Sequence, residues 1–228
     1  MTETHARHFA IHTATEKVGK ELSTQYINIS NQEMKRRLIG MMVLALHFAC
    51  ANAQGRLMRD VFAEAPDSIF PLMTRNNRLD CIDFAENGMA ARVRNKLDDW
   101  TELKTLTADY LLLQVSDRST IQMKLLTDSA LCIVRTYNGP AEDSHVAFYD
   151  INWHTIARNE ARRPSVGEFT TGEADDEALD YLKALPLMKA TLYPDNCTLT
   201  WELQTKELTE EQKKAAERYL QPITINLK

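Results

Sequence analysis

The 228-residue chain lacks most of the short motifs on which cofactor and metal sites depend. Its 7 glycines are scattered singly, so no glycine-rich loop is present to hold a phosphate or a dinucleotide. Its 4 cysteines include no CxxC pair, which argues against a structural zinc site. Lys and Arg (27) are outnumbered by Asp and Glu (32), which argues against a nucleic-acid partner. We therefore expect no cofactor, no metal ion and no nucleic acid.

The longest apolar run is too short to remain in a membrane. It covers residues 38–49, follows three cations at 35–37 and precedes the small residues Ala51 and Ala53. A cationic, an apolar and a small-residue segment in this order are typical of a secretory signal peptide. A helix of this length spans about 18 Å, well short of the ~30 Å hydrocarbon core. We predict a signal peptide over residues 34–53 and a periplasmic or secreted protein that meets the membrane only during export.

The same region allows two other interpretations. An apolar run of this length also suits a buried helix of the mature fold. Lipid anchoring through Cys50 is a second alternative, but His47 and Phe48 stand where a lipoprotein signal needs small or aliphatic residues. The polar segment 1–33 has no sustained apolar period, and we interpret it as a leader upstream of a true start at Met34.

Cleavage after Ala53 leaves residues 54–228, which carry a net charge of −7. A chain of this length buries about 70% of its unfolded surface, so it needs no disulfide to fold. In an oxidising compartment one cysteine pair could close, yet we expect all three cysteines of the mature chain to act as small buried apolar residues. They are Cys81, Cys132 and Cys197.

Two helices are predicted at the start of the mature chain. Residues 57–65 carry apolar side chains at helical spacing, and Pro66 ends the helix. The second helix begins near Asn76 or Asn77, either of which can cap it, and ends at Gly88. Its predicted buried face consists of Leu79, Ile82 and Ala85.

From Met89 onward apolar and polar residues alternate, as they do in strands. Turns at 127–129 and 138–140 join the strands so closely that they must be antiparallel. Capping-box patterns at 165–168 and 209–212, an acidic cluster at 175–177 and a further hairpin around 194–196 indicate helices and strands beyond residue 165. The helix that opens at Thr209 is predicted to end at Pro222. We predict one α+β domain over 54–228, with an antiparallel β-meander sheet and several packing helices. The strands predicted in the meander are 91–97, 110–115, 119–126, 131–137 and 145–149.

The mature chain carries no assembled catalytic motif. Asp143-Ser144-His145 has the residue types of a hydrolase triad, but neighbouring strand residues point to opposite faces, so His145 cannot serve Ser144. Carboxylates are plentiful, and two of them in a cleft are what a glycosidase needs. Asp80 and Asp83, which share a helix face, are better explained as part of a solvated, salt-bridged surface.

Six residues are candidates for a recognition surface. The basic row formed by Arg92, Arg94 and Lys96 fits either a charged edge strand that resists aggregation or a stripe that binds an acidic partner or a carboxylated glycan. Trp153 can stack on a sugar or close the end of a core. Asn76-Asn77-Arg78 offers more hydrogen-bonding groups than helix capping uses. The candidates are Asn76, Asn77, Arg78, Arg92, Arg94 and Trp153.

Several segments of the mature chain match one pattern: 58–62, 66–68, 76–80, 82–84, 123–126 and 134–140. Together they resemble a known family of secreted Bacteroidales proteins, the domain of unknown function 3256. The resemblance covers essentially the whole mature chain. It implies an envelope protein of a Gram-negative gut or oral anaerobe and assigns no activity and no catalytic residue.

We predict an exported envelope protein that acts as a non-catalytic binding module for a protein, a peptide or a glycan. The alternative is a hydrolase that uses Asp and Glu carboxylates on a glycan or peptide substrate. A purely structural component of a surface assembly is a third hypothesis. A deep pocket with two carboxyl groups about 5–10 Å apart would favour the hydrolase.

Overall fold

The predicted leader and signal peptide, residues 1–53, lie outside the part of the chain that the computed structural model describes, and so does the predicted turn at 127–129. The chain from Arg56 to Lys228 forms one compact unit. Among the described helices, none has the length and apolar character needed to cross a membrane. The described residues are 57–126, 130–171, 176–216 and 218–227.

Four α-helices and ten β-strands make up the described chain. The helices are α1 (Met58–Glu64), α2 (Arg75–Glu86), α3 (Asp176–Ala184) and α4 (Glu210–Ala216). The strands are β1 (Arg92–Arg94), β2 (Trp100–Leu106), β3 (Tyr110–Ser116), β4 (Ser119–Leu125), β5 (Leu131–Asn138), β6 (Glu142–Tyr149), β7 (Thr155–Ile156), β8 (Met188–Leu192), β9 (Thr198–Leu203) and β10 (Ile223–Asn226). Two short 3-10 helices, Asn159–Ala161 and Val166–Phe169, lie between β7 and α3.

The strands form two antiparallel sheets. Strands β1 to β7 form the large sheet, in which every strand pairs with its neighbours in sequence, and β8 to β10 form the small sheet around the central β9. The predicted α+β class and the meander are therefore confirmed. The sequence did not predict β2, because a β-bulge between Leu103 and Thr105 interrupts its alternation and a threonine, Thr101, fills one of its buried positions.

The start of α2 differs from the prediction. Thr74 is the N-cap: its hydroxyl accepts the Asn77 backbone N–H at 3.1 Å, while the Asn77 carbonyl oxygen Oδ1 accepts the Thr74 N–H at 3.0 Å. Asn77 is thus the third helical residue of a capping box, not the cap itself. Gly88 follows the helix with φ +68°, the left-handed conformation that glycine adopts without strain, so the predicted end is confirmed.

The packing of α2 also departs from the expected face. Ile82 is buried as predicted and Ala85 is partly buried, but Leu79 is exposed, and the helix buries Arg78 and Cys81 in addition. The later capping boxes are present, and the one at Ser165 opens a 3-10 helix. The helix expected behind the acidic cluster at 175–177 is α3. Helix α4 ends at Ala216, before the predicted stop at Pro222.

The large sheet separates two hydrophobic cores. On one face, here called the helical face, residues such as Leu113 and Ile121 pack with α1, α2 and the loop between them. On the other, here called the second face, residues such as Val134 and Phe148 pack with the small sheet and the fully buried Trp201. Because both faces are covered over the central strands, polar residues that alternate with apolar ones are buried as well.

Polar side chains of the large sheet hold the edge of the small sheet. The backbone N–H groups of β8 on its free edge donate to side chains of the large sheet: Met188 to Asp143 (3.1 Å), Ala190 to Ser144 (2.9 Å) and Leu192 to Gln122 (2.7 Å). Lys124 is buried beside them and reaches the Asp109 carboxylate at 2.8 Å and the Pro194 carbonyl at 2.6 Å. The backbone N–H groups of this edge strand would otherwise lack acceptors, and side chains of the large sheet supply them.

Candidate functional site

A row of polar side chains crosses the second face of the large sheet from β1 to β6. Residues directly opposite one another on paired strands share a face of the sheet. The inner part of the row, on β5 and β6, is buried beneath β8, whereas the part on β1 to β4 is accessible to solvent. In order across the strands, the register aligns Arg92, Glu102, Gln114, Thr120, Thr136 and Ser144.

The accessible end of this row meets an aromatic residue that the sequence did not single out. Trp100 lies opposite Arg94 on the neighbouring strand and is 40% exposed. The guanidinium carbons of Arg92 and Arg94 lie 4.5 and 4.2 Å from the centroid of its ring. Cation–π contacts at such exposed sites contribute about 0.5–1 kcal/mol each, so the indole helps to hold both guanidinium groups in place. Arg94 is held in addition by its hydrogen bond to the Asp98 carbonyl at 2.5 Å. We call Arg92, Arg94, Trp100, Glu102, Gln114 and Thr120 the open face.

The turn between β1 and β2 fixes the relative position of these side chains. Asn95, which is buried, accepts the backbone N–H groups of Leu97 and Asp99 and donates to the Val115 carbonyl. Asp98 adopts a positive φ of 58° in the same turn. An asparagine that organises a tight turn in this way sets the register that brings Arg94 and Trp100 together.

Two further candidates, Asn76 and Asn77, lie in the first turn of α2, which packs on the helical face. The Asn77 side-chain amide donates to the Arg94 carbonyl at 3.3 Å, which ties the start of α2 to β1. Asn76 is exposed in the same turn. Of the six predicted candidates, the structure therefore brings Arg92 and Arg94 together, with Asn77 bound to the backbone of the same strand.

Arg78 is not part of a surface. It is 2% exposed, and its guanidinium donates to the Ala65 carbonyl at 2.6 Å and to the Asp67 carboxylate at 3.1 Å. It also lies over the ring of Phe70. The assignment of Arg78 to a recognition surface is therefore corrected: its buried charge is satisfied by the α1–α2 loop, which it holds against α2.

Trp153 lies at the other edge of the large sheet, in the turn between β6 and β7. It is partly buried, packs 6.1 Å from the Tyr149 ring and contributes to the core of the helical face. The Asp150 carboxylate accepts the backbone N–H groups of Asn152 and His154 in this turn, and its hydrogen bonds to His154 lower its pKa. Trp153 therefore closes the end of a core and does not join Arg92 and Arg94.

The groups considered for catalysis have structural partners. The Ser144 hydroxyl is buried against Thr136 and the Ala190 N–H, and His145 is exposed on the opposite face. Burial raises the pKa of the Cys81 thiol to about 12 and also raises that of Cys132, so neither thiol is a ready nucleophile. No cluster of three or more metal-ligating side chains occurs in the described ranges.

A groove near β6 and β7 is lined with arginines that already form ion pairs with carboxylates. It has a volume of about 480 Å³. Arg163 donates to Asp143 at 2.7 Å, and Arg162 holds Glu168 at 2.9 Å. The hydrogen bond from Arg162, together with those from Ser165, lowers the pKa of Glu168 to about 2. These ion pairs leave less uncompensated charge in the groove than on the open face.

Comparisons with known proteins agree with the resemblance seen in the sequence. No curated protein matches the chain. Among solved structures, the chain is similar to a domain of an uncharacterized protein from Porphyromonas gingivalis W83, with a TM-score of 0.61 and 21% sequence identity. That match covers 75% of this chain and 93% of the other, and it shows the fold alone. The family described as protein of unknown function (DUF3256) matches residues 50–227, and the chain belongs to that family.

Proposed function

We propose that the protein is an exported, non-catalytic binding module of the cell envelope and that the open face holds an acidic glycan. The observation that carries this proposal is the stacking of Arg92 and Arg94 on Trp100 at an accessible part of the sheet. Two cations held on one indole provide charge beside the part of the aromatic ring that stays exposed. Uronic-acid sugars match that combination, because they present carboxylates next to apolar ring faces.

The charge of Arg92 supports an acidic ligand. Arg92 lies opposite Glu102 in the register, yet the Glu102 carboxylate pairs with Lys104 at 2.8 Å. Among the described residues, Arg92 has no carboxylate within ion-pair distance, whereas Arg94 lies 3.9 Å from the Asp98 carboxylate and donates to the Asp98 carbonyl at 2.5 Å. The charge of Arg92 is therefore not paired with a carboxylate in the described part of the chain, although the protein as a whole is acidic.

The neighbouring groups suit the hydroxyl groups of a sugar. Gln114 and Thr120 continue the row away from Arg92 on β3 and β4, and both are partly exposed. Their amide and hydroxyl groups both donate and accept hydrogen bonds, as sugar hydroxyls require. A glycan that crosses the strands along this row would place its carboxylates at the arginines.

Calorimetric titration of the full-length protein tests the binding proposal. We expect an oligogalacturonate to bind and its neutral galactose counterpart to bind at least about tenfold more weakly, a difference of about 1.4 kcal/mol. The double variant Arg92→Gln, Arg94→Gln and the variant Trp100→Ala should each lose binding of the acidic glycan. Arg218→Gln, which removes an exposed arginine on α4's C-terminal side, is the matched control and should bind normally. Equal binding of the acidic and the neutral glycan, or unchanged binding by the double variant, would refute the proposal.

Export is a separate part of the proposal. The signal-peptide pattern at 34–53 supports it, as does the start of the family match at residue 50. Cell fractionation and N-terminal sequencing of the protein from its host test it. We expect an envelope or secreted product that begins at Gln54, and a cytosolic product that retains residues 34–53 would refute export.

A further inference from the structure

A second, apolar pocket lies on the helical face of the large sheet, opposite the open face. The loop residues 69–73 cover it from one side, and Leu113, Val115 and Ile121 line it from β3 and β4. Arg135 and Tyr137 complete the wall from β5. Residues two apart on a strand share a face, so both side chains lie on the pocket side of β5.

The size of the pocket limits what it can hold. Its volume is about 120 Å³. An apolar cavity of about 150 Å³ accommodates one benzene molecule. The pocket is slightly smaller than that cavity but opens to solvent, so one six-membered ring or a branched aliphatic group fills it, and a longer chain has no room.

Arg135 introduces a charge into this apolar setting. It is partly buried, and its Nη2 donates to the Ile69 carbonyl at 3.2 Å, which fastens the loop over the pocket. Within the described ranges, no carboxylate lies within ion-pair distance of its guanidinium, unlike that of Arg163 or Arg162. A partly desolvated guanidinium gains most from a carboxylate, which it can bind with two parallel hydrogen bonds.

Tyr137 marks the entrance. It is 57% exposed although it lines the pocket, so the pocket opens to solvent at its ring. Apolar walls, one unneutralised guanidinium and an aromatic rim form a site with distinct apolar and anionic ends.

We propose that this pocket binds a small carboxylate with an apolar body, the carboxylate on Arg135 and the body against Val115 and Ile121. Free aryl or branched-chain acids have this chemistry, and so does the C-terminal residue of a peptide that ends in phenylalanine or leucine. The pocket and the open face lie on opposite faces of the sheet, so the two proposals stand or fall separately.

Ligand-observed NMR titration of the full-length protein with phenylacetate tests the inference. A dissociation constant of about 1 mM is expected for a ligand of about ten heavy atoms. Phenylacetamide, which has the same shape without the charge, should bind at least about tenfold more weakly. Two further arms compare an acetylated tripeptide that ends in phenylalanine with its C-terminal amide. Binding of the acid peptide alone assigns the site to peptide C-termini, and binding of phenylacetate alone assigns it to free acids.

Variants separate the site from adventitious binding. Arg135→Met should weaken phenylacetate binding at least about tenfold, since it removes the counter-ion, and Arg135→Lys should restore part of it. Val115→Phe fills the pocket and should abolish binding. Arg118→Met removes an exposed arginine from the β3–β4 turn and is the matched control. If Val115→Phe fails to fold, the Arg135 pair still decides.

The inference is overturned if phenylacetamide binds as well as phenylacetate or if Arg135→Met binds like the unchanged protein. It is also overturned if neither phenylacetate nor the acid peptide binds.

Discussion

Replacing Ser144 with alanine tests how the small sheet is attached to the large one. The Ser144 hydroxyl accepts the Ala190 N–H at 2.9 Å and lies 2.8 Å from the Thr136 hydroxyl. Ser144 is 2% exposed and Ala190 is fully buried, so water cannot replace the lost hydroxyl. The change removes only one oxygen atom and leaves almost no cavity.

The expected cost follows from these two contacts. A buried N–H left without an acceptor costs about 1–3 kcal/mol, and the hydroxyl–hydroxyl bond contributes about 1 kcal/mol more. Ser144→Ala should therefore reduce the free energy of unfolding by about 2–4 kcal/mol, a large share of the about 5–15 kcal/mol typical of a domain. Thr136→Val should cost less, because the Ala190 N–H keeps its acceptor in that variant.

Urea denaturation followed by circular dichroism measures the difference. The midpoint should fall while the slope m stays unchanged, since the surface exposed on unfolding is the same. Ser68→Ala, at an exposed turn position, is the matched control and should change stability by less than about 0.5 kcal/mol. If Ser144→Ala costs no more than this control, the Ser144 hydroxyl does not hold β8.

Three further predictions concern buried or paired groups. Lys124→Met keeps most of the buried aliphatic length but loses the polar contacts of the ammonium, so it should lower the free energy of unfolding by about 1.5–3 kcal/mol. Lys124→Ala also leaves a cavity, so its urea midpoint should be clearly lower than that of Lys124→Met. The pKa of Glu168 is about 2 in the folded state against an ordinary value of 4.5, so its stabilising effect is present above about pH 4.5 and is lost as the pH falls towards 2. On acidification from about pH 5 to pH 3, the free energy of unfolding should therefore fall less in Glu168→Gln than in the unchanged protein. Identical dependence of the free energy of unfolding on pH in the two proteins would contradict this. Burial raises the thiol pKa values of Cys81 and Cys132, so iodoacetamide at about pH 8 should label Cys197 before either of them. Mass spectrometry of peptides measures the order of labelling, and early labelling of Cys81 or Cys132 would contradict the prediction.

Local features of the fold were predictable because they depend on neighbouring residues. Gly88 ends α2 since glycine accepts a positive φ, and the turn after Asn138 separates β5 from β6 as its Gly-Pro sequence requires. Thr209 and Gln212 form the expected capping box at the start of α4. Short connections between strands likewise made an antiparallel meander the only possible arrangement.

The candidate site was predictable only in part. Arg92 and Arg94 stand out in the sequence as a basic row, and β1 is indeed the edge strand of the large sheet. Trp100 was missed because its position beside Arg94 depends on the register across the β1–β2 turn, which Asn95 sets through contacts with its neighbours and with β3. A tryptophan in an otherwise polar segment was the one signal that could have drawn attention to it.

The amino-acid sequence by itself determined the type and order of most elements and which residues alternate between two faces of each strand. It did not determine which faces are covered. Gln122 and Ser144 have the polar pattern of a solvent-exposed face, yet their partners Leu192 and Ala190 lie 70 and 46 residues further along the chain. The burial of a polar residue depends on what packs against it, and long-range packing of this kind is decided only when the small sheet docks on the large one.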